Sequence, residues 1–123
     1  MKLSLITTLA ALAVSGAALA QQQGVSKTEI TVGTIQDLSG PLAGYGKAVR
    51  NGMLLRMDEV NEQGGVNGRK LKLITEDSGY DPKRAVLAAQ KLVNQDKIFI
   101  MAGHIGTAQN NAAMPVQFEK KVV

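Results

Sequence analysis

The chain has 123 residues, a length that allows at most one domain. It has a formal net charge of +4 and contains no cysteine. The lack of cysteine excludes disulfides, zinc–cysteine sites and thiol catalysis. Its basic residues are scattered, and two tyrosines and two phenylalanines provide no stacking surface, so no nucleic-acid partner is expected.

The first twenty residues have the features of a secretory signal peptide. Met1-Lys2 gives a short positive start, and Leu3 to Ala20 contains no charged residue. The stretch ends in Ala18-Leu19-Ala20, the small-x-small pattern that a signal peptidase cleaves. A membrane anchor is the alternative, but the many Ala, Ser, Thr and Gly residues favour cleavage. We therefore expect a signal peptide at 1–20, a leading tail at 21–29, and a soluble, exported product.

The rest of the chain begins with a strand pattern followed by a helix pattern. Thr28 to Gln36 alternates around β-branched residues and predicts a strand. After the glycine-rich "DLSGPLAGYG", helical spacing extends from about Ala43 to Gln63, and Gly64-Gly65 ends it as a left-handed cap requires. The predicted buried stripe of this helix consists of Tyr45, Ala48, Val49, Met53, Met57 and Val60.

A second strand and helix follow a tight turn at residues 66–69. "KLKLITEDS", Lys70 to Ser78, predicts the strand. Asp81 is a natural N-cap and Pro82 suits the first helical position, which predicts a helix to about Gln95. The side chains expected to be buried in this helix are Ala85, Val86, Ala89, Leu92 and Val93.

The third repeat begins with an apolar run. Lys97 to Ala102 is too apolar to alternate, which predicts a strand covered on both faces. A third helix is expected from about Thr107 to Lys120, with Met114-Pro115 as a local weakness, and Val122-Val123 resembles the start of a fourth strand. Strand and helix thus alternate three times, which predicts an α/β fold with an open parallel sheet and helices on both faces. We expect this to be the front of a longer protein.

Ligands of open α/β sheets lie at the carboxyl ends of strands, where the strand order changes direction. If the second and third strands lie on opposite sides of the first, the loops at this point are "QDLSGPLAGYG" and "GHIGTAQNN". Their glycines and small polar residues allow backbone to approach a small molecule. The third helix begins near Gly106-Thr107, and its free N–H groups favour an anion such as a carboxylate.

Two nucleotide-binding motifs are incomplete. Val49 replaces the third glycine of G-x-G-x-x-G, and the pattern lies too far after the strand. In a phosphate loop, Pro41 would stand at the first glycine and Ala48 at the magnesium-binding hydroxyl. No cofactor is therefore expected.

His104, the single histidine, has three interpretations: a structural residue bonded to backbone, a contact at the edge of a ligand, or a general base. No nucleophile or metal cluster accompanies it, so the structural role is favoured, and neither an enzyme nor a metal site is expected. Structural roles are also expected for Glu76, Asp77 and Asp81.

Three stretches resemble the branched-chain amino acid family of periplasmic solute-binding proteins of ABC importers. They are "ITVGTIQDLSGPLAGYG", "DEVNEQGGVNGRKLKLITEDSGYDPKRAV" and "GHIGTAQNNA". The most specific part is N-x-x-G-G-V-N-G-R-K-L, from Asn61 to Leu71, followed by D-x-x-x-D-P, from Asp77 to Pro82. The spacing from helix end to second helix is that of the family.

The resemblance implies a type I periplasmic binding protein with two lobes, of which residues 30–123 form an incomplete N-terminal lobe. Such a protein holds a small amino acid, or a related carboxylate or amide, and delivers it from the periplasm to a membrane permease. The same lobes serving as the sensing module of a receptor are the alternative.

The resemblance also implies roles in the site. The hydroxyl of Thr107 and nearby N–H groups would hold a carboxylate, and the ring of Tyr45 would close over the ligand. The family often has consecutive serines where this chain has Gly106-Thr107-Ala108-Gln109. The candidate ligand contacts are Tyr45, Ile105, Gly106, Thr107, Ser39 and Gly40.

Overall fold

The computed structural model describes residues 22–123, so the expected signal peptide at 1–20 lies outside the described residues. The described part contains the predicted alternation of strands and helices. In chain order the elements are β1 (Glu29–Gln36), α1 (Ala43–Glu62), β2 (Lys70–Asp77), α2 (Pro82–Asn94), β3 (Ile100–Met101) and α3 (Thr107–Glu119).

The strands form one parallel sheet in the order β2-β1-β3. β1 pairs with β2 from Glu29↔Lys70 to Gln36↔Asp77, whereas it pairs with β3 only at Val32↔Ile100 and Gly33↔Met101. α1 packs on β1 and β2, and α2 packs on α3. Right-handed crossovers place α1 on one face of the sheet and α2 with α3 on the other. The predicted open parallel sheet is confirmed.

The apolar core lies on the face of the sheet that α2 and α3 cover. Ile35 of β1, Leu92 of α2 and Ile98 are completely buried there. Ala88 takes the place expected for Val86, which is half-buried, because residues 85, 88, 89 and 92 share one helical face. The buried residues of α2 are Ala85, Ala88, Ala89, Leu92 and Val93.

α1 has the predicted bounds, but the predicted buried stripe is wrong. Gly46 is the one residue of α1 that is buried, and Tyr45 is 71 % exposed. A single helix on two strands buries only the narrow line that touches the sheet. The other stripe residues are therefore exposed (Ala48, Val49) or half-buried (Met53, Met57, Val60).

β3 is shorter and less covered than the sequence predicts. It spans two residues, both half-buried, and the preceding Phe99 is 36 % exposed. The prediction of coverage on both faces is therefore wrong for this part of the chain. The Met101 N–H donates to the Val123 carbonyl at 2.8 Å, so Val123 lies beside β3, although residues 122–123 form no strand.

The helix ends follow the predicted chemistry. Asp81 Oδ1 accepts the Arg84 N–H at 2.8 Å, and Pro82 is the first helical residue of α2. Gly65 (φ 75°) closes α1 by donating its N–H to the Val60 carbonyl at 2.9 Å. α3 continues through Pro115, where the ring removes one backbone donor from the helix.

The stretch from Asn61 to Leu71 joins the end of α1 to β2. The Asn61 side chain donates to the Leu71 carbonyl at 2.8 Å and accepts the Leu71 N–H at 2.7 Å. Asn67 and Gly68 form the turn with φ angles of 51° and 77°. The stretch that most resembles the family therefore has a structural role, because it links the end of α1 to β2.

Residues 22–28 pack against the amino end of the sheet. The Gln23 side-chain amide donates to the carbonyls of Val93 and Ile98 at 3.2 and 3.0 Å. The Gly24 carbonyl accepts the Thr31 N–H at 2.8 Å. Among the described residues, no helix combines the length and apolarity that crossing a membrane requires.

Candidate functional site

The two glycine-rich loops meet where the strand order changes direction. β1 and β3 are neighbours, and the Ile105 N–H donates to the Ile35 carbonyl at 3.1 Å, so the loop after β3 lies along the end of β1. The Gln36 side-chain amide donates to the Gly103 carbonyl and holds the same loop. This edge of the sheet, between residues 37–42 and 103–107, is called the crevice below.

The start of α3 presents uncapped backbone N–H groups at the crevice. Gly106 is the N-cap residue, with φ 95°, and no side chain of residues 22–123 caps this end. Thr107 is exposed and is the first helical residue, one position after the N-cap, so it does not act as the cap. The first helical N–H groups lack partners within the helix, and the helix dipole places partial positive charge there. An anion is the ligand that this arrangement favours.

The first loop of the crevice is shaped by a buried carboxylate. Asp37 is fully buried, and its two oxygens accept the N–H groups of Gly40 and Leu42 at 2.5 and 2.6 Å. A Cβ on Gly46 would lie 1.9 Å from the Asp37 carbonyl oxygen, so only glycine allows this approach of α1. Asp37 was not among the predicted site residues, although an aspartate three residues before a glycine is a recognisable turn signal.

Ser39 and Gly40 have turn-forming contacts. The Ser39 hydroxyl donates to Asp77 Oδ2 at 2.5 Å. A Cβ on Gly40 would lie 2.5 Å from the Gly79 carbonyl oxygen, so the two glycines pack directly on each other. The hydroxyl proton of Ser39 and the N–H of Gly40 are thus already committed within the protein.

The candidate residues reach the crevice from two sides. Ser39 and Gly40 come from the loop after β1, and Ile105, Gly106 and Thr107 come from the loop after β3 and the start of α3. The Tyr45 side chain, in the first turn of α1, is largely exposed. The fold brings the two loops together and leaves the Tyr45 ring without close packing.

Asp77, at the end of β2, is a centre of hydrogen bonding. Its Oδ1 accepts the N–H groups of Leu38 and Gly79 at 2.9 and 2.8 Å, and its Oδ2 accepts the Arg84 guanidinium at 2.9 Å as well as Ser39. Partial burial acts to raise the pKa of Asp77, but these donors outweigh it and hold the pKa at about 2. The carboxyl is therefore ionised throughout the neutral range.

His104 lies beside a cavity of about 560 Å³ that residues of α3 line. Its two ring nitrogens are enclosed and have no hydrogen-bond partner within residues 22–123, so the predicted bond to backbone is wrong. Burial lowers the pKa of His104, which keeps the ring neutral. Within residues 22–123, no carboxylate or hydroxyl side chain lines this cavity. Among the described residues, no group of three or more metal-ligating side chains is assembled.

Two further residues border the start of α3 and were missed. Gln109 is 3 % exposed, and its side-chain amide donates to the Tyr80 carbonyl at 2.5 Å. A Cβ on Gly106 would lie 2.1 Å from Gln109 Oε1 and 3.0 Å from the Tyr80 ring. The spacing of Gln109, Ala113 and Gln117 on one helical face is the signal that could have identified the buried glutamine.

The chain matches the family model described as "Periplasmic binding protein" over residues 29–123. It is 36 % identical to the Leu/Ile/Val-binding protein BraC3 of Rhizobium johnstonii over 111 residues, which is 90 % of this chain and 28 % of that protein. It is 32 % identical to the Leu/Ile/Val-binding protein of Escherichia coli (strain K12) over 98 % of this chain and 30 % of that protein.

Two solved structures are similar to the described fold. One is a fatty acid ABC transporter substrate-binding protein from Thermomonospora curvata, with a TM-score of 0.78, 31 % identity, and coverage of 83 % of this chain and 26 % of that one. The other is the branched-chain amino acid transporter substrate binding protein LivJ from Streptococcus pneumoniae in complex with isoleucine, with a TM-score of 0.74, 28 % identity, and coverage of 77 % and 27 %. The chain thus spans less than a third of the length of these relatives.

Proposed function

Because the chain belongs to the periplasmic binding protein family, we propose that the protein binds a small carboxylate-bearing solute outside the cytoplasm. It delivers this solute to the membrane permease of an ABC importer. The solute class is an amino acid or a close analogue. Relatives with 36 % and 32 % identity are named Leu/Ile/Val-binding proteins, which supports this class.

The observation that carries the proposal is the strand order β2-β1-β3. This order brings the uncapped amino end of α3 next to the loop after β1. Backbone N–H groups and the helix dipole then face one small volume, which suits the carboxylate of an amino acid. Transport requires tight but reversible binding. Hydrogen bonds from neutral backbone N–H groups provide this because they form and break without any irreversible chemical step.

Each candidate residue has a defined role in this proposal. The Thr107 hydroxyl and the first N–H groups of α3 hold the carboxylate, and the Tyr45 ring closes over the solute. Ser39 contributes its oxygen as an acceptor, because its proton is donated to Asp77. Ile105, Gly106 and Gly40 contribute backbone and apolar surface to the wall.

Residues 30–123 form part of the N-terminal lobe of a two-lobed protein in this proposal, and residues 1–20 are the signal peptide that directs export to the periplasm. The second lobe supplies the remaining contacts, including an acid for the ammonium group. A solute that contacts both lobes stabilises the closed state, because only that state makes both sets of contacts.

A thermal-shift screen of the complete natural chain tests the solute class. The panel contains L-leucine, L-isoleucine, L-leucinamide, urea, an aromatic acid and a fatty acid. The fatty acid is included because one similar structure is of a fatty acid ABC transporter substrate-binding protein. A ligand that binds only the native state raises the melting temperature by mass action. We expect L-leucine or L-isoleucine to raise it and L-leucinamide, which lacks the carboxylate, to raise it much less. A shift with no member of the panel would contradict the proposal.

Thr107→Ala tests the site by isothermal titration with the strongest amino acid of the panel. Loss of one hydrogen bond to a charged group is expected to weaken binding about tenfold, which corresponds to about 1.4 kcal/mol. Thr28→Ala is the matched control. Thr28 is also an exposed threonine, but it precedes the first residue of β1, at the end of that strand away from the crevice. Equal affinity of both variants would remove Thr107 from the site.

A further inference from the structure

The segment Asp77–Tyr80, called the bridging segment, is hydrogen-bonded to both walls of the crevice. It begins at the last residue of β2, a strand that is separated from β3 by β1 in the sheet. Despite this position, it contacts both the first loop and the start of α3. It contains no predicted ligand contact, and a structural role was expected for Asp77.

Asp77 fastens the bridging segment to the first loop. One carboxylate oxygen accepts the Leu38 N–H at 2.9 Å, and the other accepts the Ser39 hydroxyl at 2.5 Å. Gly79 packs on Gly40 so closely that a Cβ on Gly40 would lie 2.5 Å from its carbonyl oxygen. Charge-assisted bonds of this kind are stronger than bonds between neutral groups. The first loop is therefore held from the β2 side as well as by Asp37.

Gln109 fastens the other end of the bridging segment to α3. Its side-chain amide donates to the Tyr80 carbonyl at 2.5 Å, and a Cβ on Gly106 would be 3.0 Å from the Tyr80 ring. Tyr80 has a φ of 61°, in the left-handed region that non-glycine residues rarely adopt. The Ser78 hydroxyl oxygen accepts the Tyr80 N–H at 3.2 Å and supports this conformation.

We propose that Asp77 is a positioning residue for solute binding: through Leu38 and Ser39 it fixes the first loop, and through the bridging segment it fixes that loop relative to the start of α3. The effect on affinity rests on the proposed function. Preorganised loops bind more tightly because less ordering is required when the solute arrives. Asp77 itself acts through other residues and makes no contact with the solute.

Asp77→Asn tests this role, and Glu76→Gln is its matched control. Both carboxylates lie at the end of β2 and pair with one basic side chain each, Arg84 for Asp77 and Lys91 for Glu76. Of these two carboxylates, Asp77 alone accepts hydrogen bonds from the first loop within the described part of the chain. The two variants therefore remove similar charges and differ in their link to the crevice.

The first measurement is hydrogen exchange of the complete natural chain without solute. Asp77→Asn is expected to speed amide exchange in residues 38–42 at least tenfold, and Glu76→Gln is expected to leave these rates unchanged. Equal rates in the two variants would overturn the positioning role. This readout does not depend on the identity of the solute, so it separates failure of the inference from failure of the proposed function.

The second measurement is L-leucine affinity by isothermal titration. We expect about tenfold weaker binding for Asp77→Asn and unchanged binding for Glu76→Gln. Unchanged binding in Asp77→Asn would overturn the inference, whereas no binding by the unaltered chain would count against the proposed solute class and leave hydrogen exchange to decide the positioning role. If Asp77→Asn does not fold, Ser39→Ala removes one of the same bonds, and it should speed exchange in residues 38–42; unchanged rates there would again overturn the role.

Discussion

The two faces of the sheet are held in different ways. On the face covered by α2 and α3, completely buried aliphatic side chains such as Leu92 and Ile98 form the core. On the face covered by α1, Gly46 is the buried residue of the helix and packs on the Asp37 backbone, whereas Leu55 of α1 is 64 % exposed. Burial of apolar area stabilises the first face, whereas close backbone approach and paired hydrogen bonds place α1 on the second.

This difference bears on function because the crevice, like the face covered by α1, is held by hydrogen bonds and close backbone approach. The loop after β1 leads into α1 and is shaped by the carboxylates of Asp37 and Asp77. Polar contacts define angles and distances more narrowly than apolar packing does, and a ligand site needs such definition. Four changes test the contrast, and urea unfolding of the complete natural chain measures each of them.

Leu92→Ala should have the largest effect. Leu92 is completely buried, so its truncation leaves a cavity, and we expect a loss of about 3 kcal/mol in the free energy of unfolding. Leu55→Ala on α1 is the control, with an expected change within about 0.5 kcal/mol. Similar losses for the two leucines would contradict the contrast between the faces.

Gly46→Ala should cause the next largest loss in the free energy of unfolding. The added Cβ would lie 1.9 Å from the Asp37 carbonyl oxygen, so α1 must shift, at an expected cost of about 2 kcal/mol. Gly52→Ala changes the same helix at a position where, among residues 22–123, the added Cβ would meet nothing within 4 Å outside the adjacent residues and backbone of α1 itself. There the better helix propensity of alanine should stabilise by about 0.8 kcal/mol. Effects of the same sign at both glycines would show that close approach does not place α1.

Asn61→Ala removes both bonds between the end of α1 and Leu71. Because the Leu71 N–H and carbonyl would lose their partner, we expect a loss of about 1.5 kcal/mol. Asn51→Ala, at an exposed position of the same helix, provides the comparison and should change the free energy little. If Asn61→Ala lowers the free energy of unfolding no more than Asn51→Ala does, the two bonds between Asn61 and Leu71 contribute nothing to stability.

His104 should make the smallest contribution, visible as a dependence of stability on pH. Burial lowers its pKa below the ordinary 6.5, so the unfolded chain binds the proton more readily. The contribution is therefore fully present above pH 6.5 and is lost as pH falls through the folded pKa. His104→Gln should flatten this part of the curve. Asp77, with a pKa of about 2, titrates in a separate acid range and should leave the curve near pH 6 unchanged.

The sequence alone was sufficient for the architecture. Hydrophobic periodicity, the Asp81-Pro82 start and the Gly64-Gly65 end predicted all three helices and the first two strands to within a few residues. These signals are local, because a cap or a turn acts on its own few residues. The position of the crevice followed from the same order of elements, once the second and third strands were placed on opposite sides of the first.

Tertiary structure decided how deeply each helix is buried and which hydrogen bonds connect the segments around the crevice. Helical spacing predicts that α1 has an apolar face but not how much of that face a neighbour covers. The bonds of Asp77 to Leu38 and Ser39, and of Gln109 to Tyr80, join residues 29 to 39 positions apart. No local pattern encodes such pairs, because their partners become neighbours only when the parallel strands align.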